Sequence, residues 1–392
     1  MAILTETPTA ASPGVDFALS AEQELLREQV RRFAEERIQP GAQERDREHR
    51  FPVEIFAEMA ELDLLGMLVP EEHGGAGMDT VSYVVAMEEI SRADPAVAVT
   101  MSVTNSVCCW PINHFGSEEL KRRVLPELAA GGALGGFGLT EPGAGSDVGG
   151  MRTTARRDGG EWVLDGEKAW ITNAGYAKYY VVVARTDAEA GKRGLSAFVV
   201  PADAPGFSVG QPEEKMGLRS SRTAQIYFNG CRVPAGNLLG REGQGFKIAL
   251  ATLDHSRIGI AAQAVGIHQR ALELAVQYAK DRHQFGVPIA KHQAIQFKIA
   301  QIATELAAAR VLTYAAAALD HTPQAGRLAA QAKLYASEAA NRACQESLQL
   351  HGGNGFHEDY EISRLYRDVR VTTIYEGTSE MQRLVIARQL LA

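Results

Sequence analysis

The runs WVL (162–164), YYVVVA (179–184), LSAFVV (195–200), FSV (207–209) and AQIYF (224–228) decide the fold. They are short, rich in Val, Tyr, Phe and Trp, and separated by DGG, GKRG, DAPG and NGCRVP. Strand–turn–strand texture with no helix between the strands predicts antiparallel β-structure. No βαβ alternation accompanies it, which argues against a doubly wound nucleotide fold.

On either side the texture turns helical. Ser20 is placed to cap a first helix, with Gln23 completing a capping box. Leu26, Val30, Phe33 and Ile38 follow at helical spacing, and Pro40 and Gly41 are expected to stop the helix. Further helices fit 52–66, 79–93, 95–115 and 117–130. Beyond the strands, two stripes recur in steps of three and four: Ile258, Ala261, Val265, His268, Leu272, Val276 and Ile295, Ile299, Ile302, Leu306, Ala309, Thr313. Helices are expected over 244–280, 290–320, 324–351 and 378–391, with HGGNGFHED (351–359) as a loop. The fold class is therefore α+β and multidomain. An N-terminal α-helical domain (1–134) precedes a middle antiparallel β domain (135–242) and a C-terminal four-helix bundle (243–392).

Composition narrows the function. Of the 392 residues, 40 are Lys or Arg and 48 Asp or Glu, a net charge of −8. An acidic chain argues against a nucleic-acid binder, although a few local cations suffice for an anionic small ligand. With 22% charged residues and no apolar run of about 20, the chain does not read as membrane-spanning. Its N-terminus has no basic segment followed by an apolar one, so a cytoplasmic location is expected. The four cysteines form no CxxC pair, and no metal site is expected. There is no Walker A motif, no Gly-x-Ser-x-Gly elbow and no Glu-x-x-His. GAGSDVGG (143–150) lacks the third glycine of the dinucleotide fingerprint.

Three segments carry a signal. FGLTEPGAGS (137–146) is a Gly- and Pro-rich loop whose amides can approach a ligand closely. KAWITN (168–173) offers a Trp plane and a Thr hydroxyl at a strand end, as a flavin ring requires. In IYEGTSEMQ (374–382), Glu376 has apolar neighbours that would raise its pKa toward a base's range, and a helix N-terminus follows. Each also has a bland reading alone: a joining loop, a core aromatic, a helix-capping Glu.

Together with TLDHSRIGIAAQAVG (252–266), RHQFG (282–286), QAIQF (293–297), QLHGGNGF (349–356) and YRDVR (366–370), these segments make the chain resemble the acyl-CoA dehydrogenase family, most closely its short-chain (butyryl-CoA) branch. The likeness runs from about residue 17 to the C-terminus. It implies the family's three-domain fold and FAD-dependent α,β-dehydrogenation of a short- to medium-chain acyl-CoA to the trans-2-enoyl-CoA. Glu376 would remove the α-proton while the β-hydrogen leaves as hydride to flavin N5. Another branch carries its base on the LDxxR helix, where this chain has Ser256, which cannot serve.

The resemblance also assigns contacts. Phe137, Leu139, Thr140, Ser146, Trp170 and Thr172 would lie beside the flavin. Arg282 and Phe285 would hold the diphosphate and adenine portions, and Gln293, Gln349, Gly352 and Gly353 would reach the FAD of a neighbouring subunit. Thr378 and Glu380 would complete the FAD site, although many relatives carry Gln at the latter position. Ser146, Asp254, Arg257 and Gly377 would contact the acyl-CoA, and the helix around 96–107 would line its tail. A homotetramer and an electron-transfer flavoprotein partner are implied as well. The rival on the same fold is an oxygen-using acyl-CoA or nitroalkane oxidase. Acyl oxidases are usually longer, and nitroalkane oxidases place Asp where Glu376 stands.

Overall fold

The computed structural model describes residues 18–391, so the N-terminal segment read for a leader lies outside the described residues. Ser20 caps α1 (Ala21–Phe33) as expected: its hydroxyl accepts from the Gln23 amide at 3.2 Å, and the Gln23 side chain accepts from the Ser20 amide at 3.1 Å. Pro40 and Gly41 do not end the helical path. It continues through a π turn (Ala34–Ile38) and a 3-10 turn (Gln39–Gly41) into α2 (Ala42–Glu48). Then follow α3 (Val53–Glu61), shorter than expected, and α4 (Thr80–Ala93). The helix expected over 95–115 is α5 (Pro95–Ser102) and α6 (Trp110–Phe115), joined by a π-helical stretch, Val103–Cys109. α7 (Glu118–Ala129) leads to the sheet.

β1 (Leu134–Gly138), β2 (Thr154–Asp158), β3 (Glu161–Thr172), β4 (Ala177–Arg185), β5 (Leu195–Pro201), β6 (Phe207–Pro212), β7 (Thr223–Pro234) and β8 (Leu238–Leu239) form one eight-stranded sheet. Its order is β6-β7-β3-β2-β4-β5-β8, with β1 paired to β4. Pairing is mostly antiparallel, as the strand texture predicted. The exceptions are β1 on β4 and the Thr154–Arg185 contact of β2 with β4, both parallel. β1 was not expected, because its first residues include two glycines. A Cβ at Gly135 would stand 2.4 Å from that of Cys108, and one at Gly136 would stand 2.5 Å from the Tyr180 ring. Only glycine lets this strand lie against the π-helical stretch. Alternate residues of β4 and β5 face opposite cores: Val181, Val183 and Val199 on one side, Tyr180, Val182 and Phe198 on the other.

The C-terminal part contains α8 (Gly245–Asp281), the hairpin β9 (His283–Gln284) and β10 (Val287–Pro288), α9 (Gln293–Ala318), α10 (Ala325–His351), α11 (Glu361–Val369) and α12 (Ser379–Leu391). The four expected helices are present, and α11 is additional. Ile258, Ala261, Val265, His268, Ile302, Leu306, Ala309 and Thr313 are buried, as the stripes required. One apolar core joins the N-terminal helices to α8, α9, α10 and α11. Among the described residues, no helix is long and apolar enough to cross a membrane, and no His, Cys, Asp and Glu group could hold a metal.

Candidate active site

α11 carries a buried ionic network that positions the chain leading to Glu376. The Arg364 guanidinium is 1% exposed and faces Glu361 at 3.2 Å, Asp368 at 3.4 Å and Asp94 at 3.9 Å. Asp368 in turn accepts from the Leu218 amide at 2.6 Å, tying the β6–β7 connection to α11. Leu218 packs with Ala96, Val99, Val103 and Val107 along one face of α5 and its π extension, and Phe137, Val371 and Tyr375 close the cluster. The π turn keeps Val103 and Val107 on that face.

Glu376 follows directly. Its backbone has φ +52 and that of Gly377 φ +93, so two consecutive residues adopt left-handed geometry. That conformation is unfavourable for Glu and persists only where its surroundings enforce it. The enforcement is visible. Lys333 Nζ donates to the Gly377 carbonyl at 2.7 Å, and the buried Gln382 amide donates to the same oxygen at 2.8 Å. Tyr375 is fixed by its hydroxyl bond to Gln263, which also donates to the Pro95 carbonyl at 2.8 Å. Thr378 accepts from the Met381 amide at 3.3 Å and opens α12, and Glu380 lies exposed in its first turn.

The Glu376 carboxyl is pushed above its ordinary range by burial, against the Ser256 hydroxyl and the charges of Lys333, Arg257 and His255. Ser256, at the position where another branch carries its base, thus faces the same carboxylate. Arg257 pairs with Asp254, so these two predicted substrate contacts form one unit. His255, not foreseen, bonds Asp320 at 2.8 Å and stacks on Trp110. Glu376 Oε2, Arg257 Nε and His255 Nε2 are all buried without a hydrogen-bond partner. Unsatisfied polar atoms gathered in one place call for a ligand that supplies the missing partners.

The two flavin segments are brought together. The Ala169 amide donates to the Thr140 carbonyl at 2.9 Å, and buried Lys168 bridges to Glu141 at 2.8 Å and to the Leu139 carbonyl at 3.3 Å. Glu141 also accepts from the Arg152 and Thr153 amides at 2.6 and 2.9 Å. This stitching was not anticipated, although both residues stand inside the quoted motifs. Asn173 then anchors the strand end, donating to the Gly135 carbonyl and accepting from Thr100, both at 2.9 Å. Leu139 is buried, Phe137, Thr140 and Thr172 are half-buried, and Ser146 is exposed. Trp170 has φ +62 and is 61% exposed.

The remaining predicted contacts gather elsewhere. Arg282, Gly352 and Gly353 line one open cleft with Tyr278 and Asn354. Phe285, 94% exposed with φ +55, sits with Gly286 at φ +82 in the turn of the β9–β10 hairpin. Gln293 and Gln349, at the adjoining helix ends, are exposed. Arg257 and Arg282 lie about 25 residues apart on or beside α8, roughly 37 Å along its axis. The site around Glu376 and Arg257 and the cleft lined by Arg282, Gly352 and Gly353 therefore lie well apart along α8.

Models of the acyl-CoA dehydrogenase N-terminal, middle and C-terminal domains match residues 20–132, 136–231 and 243–391. The chain is 49% identical over 369 residues to the mitochondrial short-chain specific acyl-CoA dehydrogenase of Rattus norvegicus, covering 94% of this chain and 90% of that one. Butyryl-CoA dehydrogenase from Megasphaera elsdenii superposes with a TM-score of 0.94 at 42% identity, over 96% of this chain and 100% of that one. An acyl-CoA dehydrogenase from Bacillus anthracis, solved in complex with FAD, superposes with a TM-score of 0.91 at 36% identity, over 95% and 67%. With all three domains matched in order and a half-buried glutamate held in the loop before the last helix, the chain belongs to the acyl-CoA dehydrogenase family of FAD-dependent enzymes.

Proposed function

We propose that the protein converts short- to medium-chain acyl-CoA thioesters to trans-2-enoyl-CoA, with Glu376 taking the α-proton. The observation that carries this reading is the Glu376 carboxylate itself, whose Oε2 is buried and unbonded next to an apolar cluster. A carboxylate withdrawn from water is a stronger base than a solvated one. The Glu376 N–H serves as a donor to the thioester oxygen, where negative charge develops as the proton leaves. Arg257, Asp254, Ser146 and Gly377 hold the acyl-CoA.

FAD, when bound, supplies the hydride acceptor. The 137–146 loop and the exposed Trp170 would hold its ring. An added Cβ at Gly143 or Gly145 would meet nothing within 4 Å there. Thr140 and Thr172 offer hydroxyls to the ring, with Phe137, Leu139, Thr378 and Glu380 completing that end. Arg282 and Phe285 would hold the diphosphate and adenine portions of FAD, and Gln293, Gln349, Gly352 and Gly353 would reach the FAD of a neighbouring subunit. The uncovered Phe285 ring, 94% exposed, supports association into a homotetramer. The three units 1–134, 135–242 and 243–392, a cytoplasmic location and delivery of electrons to an electron-transfer flavoprotein belong to the same reading.

Turnover of acyl-CoAs from butyryl to palmitoyl tests the proposal. kcat/KM is expected to peak between butyryl and octanoyl, and a peak at lauroyl or beyond would reject the short-chain assignment. Hydrogen peroxide formed at the turnover rate in air would favour an oxidase instead. Leu218 closes the apolar cluster, so Leu218→Ala is expected to raise kcat/KM for octanoyl-CoA relative to butyryl-CoA by about tenfold, within the range a few methylenes command in an apolar pocket. An unchanged ratio would remove Leu218 from the tail-binding wall.

A further inference from the structure

Lys333 stands in the third turn of α10 and is fully buried, yet among the described residues it forms no ion pair. An ammonium withdrawn from water without a carboxylate partner is costly, and such groups persist where the charge has a use. Its hydrogen bond goes to the Gly377 carbonyl at 2.7 Å, one peptide beyond Glu376. A neutral donor would suffice as a pin for that carbonyl, and Gln382 already is one, at 2.8 Å. What Gln382 lacks is charge.

The groups around the Glu376 carboxylate show where that charge is missing. From α8 it is faced by Ser256, Arg257 and His255, and Arg257 and His255 are engaged by Asp254 and Asp320. From α4 comes Tyr83, whose hydroxyl bonds Ser102 at 3.1 Å, and Tyr375 lies beside it; Gln382 of α12 donates to the Glu376 backbone carbonyl and not to the carboxylate. Glu380 and Glu338 lie farther out toward Lys333, Glu380 exposed and Glu338 paired with Arg383. Among the described residues, Lys333 is thus the cation facing Glu376 that is in no ion pair with another carboxylate.

We propose that Lys333 is a positioning residue for Glu376: seated on the Gly377 carbonyl, its ammonium holds the left-handed Glu376–Gly377 backbone and supplies the positive charge that balances the carboxylate. The inference rests on Glu376 being the base. Burial drives the Glu376 carboxyl upward and Lys333 opposes it. Burial likewise lowers Lys333 to about 8, so it remains charged across the acidic range in which the carboxylate titrates. Removing its charge therefore moves the acid limb of kcat/KM to higher pH.

The test uses FAD-loaded enzyme, with flavin reduction by butyryl-CoA followed by stopped flow as a function of pH. Alongside it are measured melting temperature and affinity for butyl-CoA thioether, which cannot react. Lys333→Gln keeps a donor without charge, and its acid limb is expected to rise by about one pH unit, a tenfold loss of kcat/KM below the limb. Thioether affinity and melting temperature should stay near the parent's. Lys333→Met should show the same shift with weaker thioether binding, and Lys333→Arg should leave the limb in place. An unmoved limb in Lys333→Gln, while Glu376→Gln no longer reduces flavin, overturns the role of Lys333 alone. Near-normal reduction by Glu376→Gln overturns the base assignment and the inference with it. Neutral variants that lose FAD or melt well below the parent would assign Lys333 to folding only and equally overturn the proposal.

Discussion

Glu376→Gln is expected to lower the rate of flavin reduction by butyryl-CoA by about 10⁴-fold, the upper range of what a positioned base contributes. The substitution is nearly isosteric, so the loss should be chemical. The contacts that enforce the left-handed backbone go to the Gly377 and Glu376 carbonyls, from Lys333 and Gln382, and not to the carboxylate. The amide variant therefore retains the loop, the Glu376 N–H and its place beside Arg257. FAD content and binding of butyl-CoA thioether are expected to match the parent. Anaerobic stopped-flow bleaching of the bound flavin decides the matter, and a rate within tenfold of the parent would remove Glu376 from the chemistry. In the parent, kcat/KM should fall as pH drops through a value above the ordinary glutamate range. Burial raises the carboxyl, which takes up its proton early and stops acting as a base.

How much of this could be seen in the sequence depended on whether a residue's neighbours lie nearby in the chain. The Ser20–Gln23 box is local, and it forms as read. The strands of the middle part carry their own signature, as do the apolar stripes of α8 and α9. β1 carried none, because its Gly-Gly serves a contact with Cys108 and Tyr180, far along the chain. α11 was invisible for the opposite reason. EISRLYRDV is too polar to read as a core helix, yet Arg364 and Asp368 are each 1% exposed. Their partners, Asp94, Gln43 and Leu218, come from other domains. Glu376 was nominated by its apolar neighbours and the glycine after it. Lys333 was not, because a lone lysine in an alanine-rich helix looks solvent-facing. The two flavin segments could be named from their motifs, but the Lys168–Glu141 bridge between them belongs to the folded chain alone.

Arg364→Met should give the largest loss of stability, about 3–5 kcal/mol, the usual cost of removing one partner from a buried ion pair. Methionine replaces the apolar stem but none of the donors to Asp94, Asp368, Glu361, Gln43 and the Ala93 carbonyl. The orphaned acids fare differently. Asp94 retains Arg45 at 2.8 Å and still caps α5 through the Ala96 amide at 3.0 Å. Among the described residues, Asp368 keeps as hydrogen-bond donor only the Leu218 amide, at 2.6 Å. Burial already raises Asp368 to about 7 with Arg364 in place, and without the guanidinium it rises further. Its folded value then lies above the unfolded one of about 3.9. Between the two the native state binds the extra proton, so stability increases as pH falls. The parent has the same dependence below about 7, so the deficit of Arg364→Met is expected to be largest above neutrality, to shrink as pH falls toward 7 and to level off below it. Denaturant midpoints measured at several pH values test this. Arg232→Met, which removes an exposed pair with Asp158 and Glu161, is the control and should leave the midpoint nearly unmoved. A deficit that does not change with pH would mean that Asp368 is not the group left uncompensated. Because the same aspartate holds Leu218 against the α5 face, the variant should also loosen the acyl wall. Its preference for butyryl over octanoyl thioesters should weaken in step with its stability, since α11 ties that wall to the loop that carries Glu376.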